Sequence, residues 1–502
     1  MREEERTEVT NQNMKEATYL ILPAKGLSAA RAEGDPNVKD FLESLIGSRK
    51  PYTLTSGRLN KPLPMKVVDS VKNDGAKLVR LDPAKISDLH LAYPGLRIVP
   101  EVFFYRAVVP PEKIASRIQK QTPVKAIKVT VVGKDGEVIA GAQVIAFTDF
   151  ENRQGAQGKT TSNGTTTLNL PVSGETIERL YIYPESSYWP FLKKNVKLSG
   201  AILEVALTII ERGYPDAVRY FYKNDSLPPV GGTIKVGVID TGVGPHKEIN
   251  LVGGECTVEN EKSTDYADYH GHGTHVAGII SSFARTSENK PGIEILSFRV
   301  FPKVGEGASN YSIVKAIDRA VESGCHLINM SLGGGDADDA TKDAIADAQS
   351  KGVICFVATG NDGRGGVSFP ARYSLSLAVG AMGRKGTFPK DAEANDSIKS
   401  PYGKDKDNFV ASFSNVGQEV DMIGPGVGIV SCAPGDQYAV MSGTSMSCPA
   451  AAGIAARLLI LEGNIMNQPA DANRANSMIK FLGANIKSLG FGAEYEGRGM
   501  II

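Results

Sequence analysis

Apolar residues change their spacing along this 502-residue chain, and each spacing belongs to a different kind of core. From about residue 215, "TIKVGVID", "IEILSFRVF", "HLINMSL" and "VICFVATGN" are nearly continuous apolar runs. Between them lie helix-period segments such as "YSIVKAIDRAVESG" and "DATKDAIADAQSKG". Strands without a polar face must be covered on both sides, so residues 215–502 predict an α/β domain with a doubly wound parallel sheet. In such sheets the chemistry collects just beyond the carboxyl ends of the strands.

The preceding residues follow other rules. Between about 124 and 210, "AIKVTVV", "GAQVIAFTD", "GTTTLNL" and "AILEVALTII" are short runs of period two. Turn signals such as Asp135-Gly136 and Asn163-Gly164 separate them, which predicts a small β-sandwich. Its pattern resembles prealbumin-like modules. Residues 1–110 form a third unit. There "TYLILPA", "PNVKDFLESLI", "MKVVDSV", "AKLVRLD", "PAKISDLHLAYPG" and "LRIVPEVFFYRAV" read as β-α-β-β-α-β, the ferredoxin-like plan, with a hairpin turn at Asn73-Asp74-Gly75. A polar connector opened by Pro110-Pro111 leads into the sandwich.

Composition excludes several functions. The 56 basic and 56 acidic residues balance, so no net field calls for nucleic acid or a charged membrane. No run reaches the ~18 apolar residues of a membrane span. Five scattered cysteines do not make a disulfide framework, and "MREEERTEVTNQNMKEA" lacks the apolar stretch of a secretory signal. The expected setting is the cytoplasm; a chain already trimmed of its signal would be secreted and read the same way.

Residues placed after the predicted strands form one set. Asp240 follows "TIKVGVI", Ser331 to Gly335 follow "HLINM", and Asn361 follows "VICFVATG". His272 leads a helix in "YHGHGTHVAG", and Ser445 opens another in "GTSMSCPAAAG". The segments "VIDTGV", "HGHGTHVAG", "NMSLGG", "ATGN" and "GTSMSCP" resemble, in order and spacing, those of subtilisin-type serine proteases, the subtilases. Asp, His, Ser is the chain order of that family. The resemblance implies a serine endopeptidase in which Ser445 is the nucleophile, His272 its base, and Asp240 the group orienting the histidine. The Ser445 backbone N–H and the Asn361 amide would hold the oxyanion. A serine hydroxyl needs such a base to lose its proton on attack, and imidazole titrates near neutrality.

Each residue also has a plain structural reading. A lone aspartate after a strand is usually a turn former, and Asn361-Asp362-Gly363 alone would read as a turn. The spacing of His270, His272 and His275 suggests zinc, but a zinc site would leave Ser445 and Asn361 without a purpose. The resemblance further implies that Ser331, Leu332 and Gly333 pair with substrate as an added strand. Ala358, Thr359 and Gly360 would wall the primary pocket, with Ser368 near its base. No acidic residue lies there, so an apolar or broad preference is expected. Relatives carry a longer calcium-binding loop where this chain has "ARTSENKPGIE", and Glu248 stands near their ligand aspartate. No cofactor is therefore expected, and calcium, if bound, is expected elsewhere. Expected partners are protein or peptide substrates and the chain's own N-terminal domain as an intramolecular inhibitor of prodomain type. The connector from about Val108 to Pro123 would thread the cleft and hold the first cleavage point. The competing reading is a binding or scaffold protein whose protease domain stays blocked.

Overall fold

The computed structural model describes residues 16–29, 36–45, 52–54, 63–115, 124–171, 176–288 and 291–502. The extreme N-terminus and the connector residues 116–123 lie outside the described residues. The first domain is a five-stranded antiparallel sheet. Its strands are β1 (Ala17–Pro23), β2 (Tyr52–Leu54), β3 (Leu63–Ser70), β4 (Lys77–Leu81) and β5 (Leu96–Pro100), in the order β2-β3-β4-β1-β5. Two helices, α1 (Pro36–Ser44) and α2 (Ile86–Ala92), complete the ferredoxin-like plan.

The apolar run of β1 has a reason that alternation makes plain. Ile21 packs with Val79, Phe41 and Leu89 beneath the helices. Its neighbours Leu20 and Leu22 join the core shared with Ile313, Val314 and Ala344 of the catalytic domain. Successive side chains point to opposite faces, so a strand apolar throughout is a strand covered twice. Charges ring this contact: Lys72 with Asp318 (2.6 Å), Lys315 with Asp69 (2.7 Å) and Arg97 with Asp343 (2.6 Å).

The second domain is a sandwich of a three-stranded and a four-stranded sheet. Val124–Gly133 lies between Thr165–Pro171 and Ile202–Leu207, and its Ile127, Val129 and Val131 pack on Val144, Leu180 and Ile182 of the facing sheet. Three strands escape the sequence pattern: Gln154–Lys159, Thr176–Tyr183 and Phe191–Lys197. The first, QGAQGK, has no large apolar side chain. FLKKNVK carries its charges outward, and TIERLYIY is apolar on both faces because Tyr181 belongs to a second cluster with Ile145, Phe147 and Leu192. The sandwich is bonded to the catalytic domain through Leu192 N–H to Asp391 O (2.8 Å) and Glu393 N–H to Pro190 O (2.8 Å). Trp189 packs there with Phe388, Ala392 and Ala394.

The catalytic domain carries parallel strands in the order Asn250–Cys256, Ile293–Arg299, Ile234–Asp240, Leu327–Met330, Ile354–Ala358, Ser376–Arg384. Met422–Pro425 also runs parallel to the last of these, and Asn408–Ala411 antiparallel. The helices His272–Ser281 and Thr444–Glu462 cover one face; Asn310–Glu322 and Asp339–Ser350 cover the other. By length and composition Thr444–Glu462 could cross a membrane, but 83% of its apolar window is buried inside the fold, so its apolarity serves the core.

One strand departs from the sequence expectation. "LRIVPEVFFYRAV" is not continuous: β5 ends at Pro100, and a separate strand β6 (Phe103–Arg106) leaves the first domain to lie on the catalytic one. Asn310 holds the break, its Nδ2 donating to Pro100 O (3.1 Å) and its backbone N–H to Val102 O (2.9 Å).

Burial beside the sandwich pushes the Glu393 carboxyl up to about 7 from its ordinary 4.5, with the charges of Asp396 and Glu112 adding to the shift. Between those two values the unfolded chain releases a proton that the folded protein keeps, so stability falls as pH rises through that window. Glu393→Gln should therefore gain melting temperature over the parent at pH 8 and show a smaller gain at pH 5; equal gains at both would place the strain elsewhere.

Candidate active site

Asp240 ends its strand, fully buried, and its Oδ1 lies 2.7 Å from His272 Nδ1. The same oxygen accepts the Thr241 N–H (2.7 Å). With Nδ1 donating to the carboxylate, Nε2 is the free face of the imidazole, and it is buried without a partner. The other two histidines point elsewhere. His270 Nε2 meets Pro302 O (2.9 Å), while His275 Nε2 meets Ile429 O (3.1 Å) and Ala439 O (3.2 Å). Burial pushes His275 down to about 3, so it stays neutral. The three do not converge. Among the described residues no group of three or more His, Cys, Asp or Glu side chains is arranged to hold a metal. Glu248 instead accepts from Tyr438 (3.0 Å) and pairs with Arg212.

Ser445 is the second residue of its helix and is buried. Its Oγ donates to Ser331 O (2.9 Å) rather than to His272, so a rotation about χ1 is needed to bring it to the imidazole. Pro449 is the sixth residue of that helix, beyond the first turn where proline is ordinarily tolerated. Lacking an N–H, it leaves the Ser445 carbonyl without its helical partner. The Ser331 hydroxyl fills the gap at 3.0 Å. Ser331 and Ser445 thus hold each other reciprocally.

Asn361 lies opposite. Its Oδ1 accepts from the Thr444 N–H (3.0 Å) and hydroxyl (2.9 Å), which fixes the amide and leaves Nδ2 buried and unpartnered. The cleft is filled by the chain itself. β6 lies antiparallel between Ala308–Ser309 and Leu332–Gly333, with Leu332 opposite Arg106 and Gly333 opposite Tyr105. Ala107 N–H donates to Ser331 O (3.1 Å), and Ala107 O accepts the Ser445 N–H (2.9 Å). A side chain at Gly443 would stand 2.6 Å from Ala107 O, 2.9 Å from Val108 Cα and 3.3 Å from Asn361 Nδ2. Only glycine allows that approach. The bond lying on the serine is Ala107–Val108, at the leading edge of the connector rather than within it.

Ala107 belongs to the same core cluster as Ala358, and the Ser368 Oγ donates to Thr359 O (3.0 Å). That Oγ would be 2.6 Å from a Cβ on Gly333 and 2.7 Å from one on Gly360, so it reaches across between both walls. Phe104, fully buried, is received beside Gly335, where a Cβ would strike its ring at 2.6 Å.

Sequence reasoning missed Ala308–Ser309, the second flank of β6, and Asp268. The Asp268 carboxylate accepts from the Thr241 and Thr274 hydroxyls (2.9 and 2.6 Å) and from the N–H groups of His270, Gly271 and Thr274 (2.9, 2.8 and 2.9 Å). It ties the start of the His272 helix, whose N-cap Gly271 has no side chain, to the residue after Asp240. An aspartate just ahead of a helix start is the signal that finds it.

Asp240 bound to His272, Ser445 donating its N–H to a peptide carbonyl, and an Asn361 Nδ2 left unpartnered are the parts a serine peptidase needs. A model of the Subtilase family matches residues 231–476. Subtilisin Savinase of Lederbergia lenta is 36% identical over 229 residues, 45% of this chain and 76% of that protein. M-protease of Shouchella clausii is 33% identical over 292 residues, 58% and 68%, and Subtilisin DY of Bacillus licheniformis 33% over 279, 54% and 89%. The chain belongs to the subtilase family and is a subtilisin-like serine endopeptidase.

Asp268→Ala should cost about 2 kcal/mol, since five donors lose a charged acceptor while water reaches some of them. Urea unfolding of the purified protein measures this, and an unchanged midpoint would remove Asp268 from the scaffold of the site.

Proposed function

We propose that this endopeptidase is made as a precursor that occupies its own cleft, cuts the Ala107–Val108 bond, and is then held by its N-terminal domain. The observation that carries the reading is the Ala107 carbonyl on the Ser445 N–H, at the end of a strand paired on both sides. In the proposed sequence Ser445 turns from Ser331 to His272 Nε2, gives up its proton there and attacks the Ala107 carbonyl carbon. Negative charge grows on the oxygen. The Ser445 N–H already bonds it, and the unpartnered Asn361 Nδ2 is the natural second donor. Asp240 steadies the imidazolium, which then protonates the departing Val108 nitrogen. Water releases Ala107 from the acyl-serine by the same route reversed. None of these steps calls for a metal, and each histidine has its own separate partner. We accordingly propose catalysis without a cofactor, which a chelator should leave intact.

The core shared by the first domain and the helices Asn310–Glu322 and Asp339–Ser350 supports retention after the cut, because it does not depend on the covalent link. Ala107 before the proposed scissile bond, and the Ser368 Oγ reaching between Gly333 and Gly360, support a preference for small residues there. The five cysteines, all buried and unpaired, are the support for a setting that keeps thiols reduced, to which the relatives do not add. A permanently blocked scaffold would not require both an unpartnered Asn361 amide and an unpartnered His272 Nε2.

Matured protein should begin at Val108, and Ser445→Ala should remain full length; a start beyond residue 210, or cutting by the alanine variant, would overturn the assignment. Asn361→Leu should lower kcat about 10²–10³-fold, the magnitude measured for an oxyanion asparagine in a subtilisin. Ser368→Gly should raise the rate on phenylalanine relative to alanine before the scissile bond by about tenfold, the scale of one large apolar side chain gaining room. Peptide pairs differing only there give the ratio directly.

A further inference from the structure

Beyond Ala107 the chain does not leave the cleft at once. Val109 N–H donates to Ser442 O (2.9 Å), and its side chain packs on the cluster containing Trp189 and Ala394. Trp189 belongs to the β-sandwich and Ala394 to the catalytic domain. Three residues on, Glu112 is held entirely by the sandwich: its N–H reaches the Tyr183 hydroxyl (3.4 Å) and its carboxylate pairs with Arg153. Arg153 is itself fixed, its guanidinium lying 4.6 Å from the centre of the Phe150 ring, and its carbonyl accepts the Ala115 N–H (3.2 Å). Ile114 then covers the outer apolar cluster of Phe147 and Tyr181. A cavity of ≈ 290 Å³ remains between segment and walls, running from Tyr188 and Trp189 past Val108 and Val109 to His272.

A module that served only as a spacer would have no need of an arginine, a tyrosine and a tryptophan aimed along the exit from the catalytic residues. We propose that the β-sandwich builds the half of the substrate cleft that follows the scissile bond, reading an apolar residue at the second position after it and an acidic residue at the fifth. The inference rests on proteolysis at Ala107–Val108. The chain's own Val109 and Glu112 are the resident example of the preferred sequence. Room around them lets a substrate present larger apolar groups, and the sandwich, being joined to the catalytic domain by Trp189 and by the Arg179–Asp396 pair (2.9 Å), remains in place after the cut.

The test uses charge exchange in the full-length protein and in peptides. Arg153→Glu and Glu112→Lys should each slow cutting at Ala107–Val108 about fivefold, and the two together should restore it, as expected for a half-exposed pair turned from attractive to repulsive. A second measurement guards against misfolded variants. Matured protein is offered a peptide copying Phe103–Ala115 and the same peptide with lysine in place of Glu112. The parent should favour the acidic peptide about fivefold in kcat/KM, and Arg153→Glu should reverse the order; a ratio depends neither on yield nor on the active fraction. Equal cutting of both peptides by the parent, or an unchanged ratio in the variant, overturns the proposed subsite while leaving the protease intact. A parent that cuts neither itself nor any peptide overturns the proteolytic reading and this one with it.

Discussion

The backbone carbonyl of Ser331 is where the parts of this molecule meet. It accepts the hydroxyl of Ser445 and the N–H of Ala107, so one atom holds both the proposed nucleophile and the strand lying across it. Ser331 can do this because it follows a strand whose four residues are all buried, with neighbours on both sides. Its hydroxyl returns the bond by occupying the Ser445 carbonyl that Pro449 leaves free. A helix-breaking residue in a helix is a local cost, here about 3 kcal/mol in an ordinary interior. The Ser331 hydroxyl offsets part of it and, in doing so, fixes how far the serine helix sits from the cleft edge.

What could be read from the sequence follows from how local each feature is. Asp240, His272, Asn361 and Ser445 each sit at a strand end or helix start, positions that apolar runs and small residues announce within about ten residues. The ferredoxin-like order was legible for the same reason: the four strands of that plan each have an apolar run and the hairpin its own Asp-Gly turn, whereas the added edge strand β2, three residues long, was missed. The break after Pro100 was not, because "LRIVPEVFFYRAV" is equally suited to pairing with β1 and with Leu332–Gly333. Nothing within the run says that Phe104 will be buried in another domain. Asn310, two hundred residues on, decides it. The three strands missed in the sandwich illustrate the complementary limit: a strand covered on both faces, or packed through backbone and glycine, has lost the alternation by which strands are recognised.

Double coverage is also the thread connecting the three domains. β1 of the first domain and Thr176–Tyr183 of the second are each apolar on both faces, and in each the outer face meets something beyond its own domain. For β1 that partner is the pair of helices on the far side of the catalytic sheet. For the sandwich it is the chain segment emerging from the active site. The two small domains therefore grip the same stretch of chain from its two ends, the first through Phe103–Arg106 as an outgrowth of β5, the second through Val109–Ala115.

If the first domain inhibits as proposed, that arrangement bears on how inhibition ends. The proposed cut at Ala107–Val108 would separate the two grips but loosen neither, because each rests on contacts that do not cross it. The fragment ending at Ala107 retains its two-sided strand pairing and the buried Phe104; the new N-terminus at Val108 retains Val109 against Trp189 and Glu112 against Arg153. Release is thus two events with different physics. Leaving of the first domain must expose the apolar face of β1, a large area that disfavours spontaneous loss. Withdrawal of the short segment breaks a few hydrogen bonds and one partly exposed ion pair, and it remains tethered to the sandwich, so it competes with substrate at a high local concentration but yields to one. On the proposed reading, the first domain would set whether the enzyme is on. The tethered segment would then set which substrates are good enough to displace it.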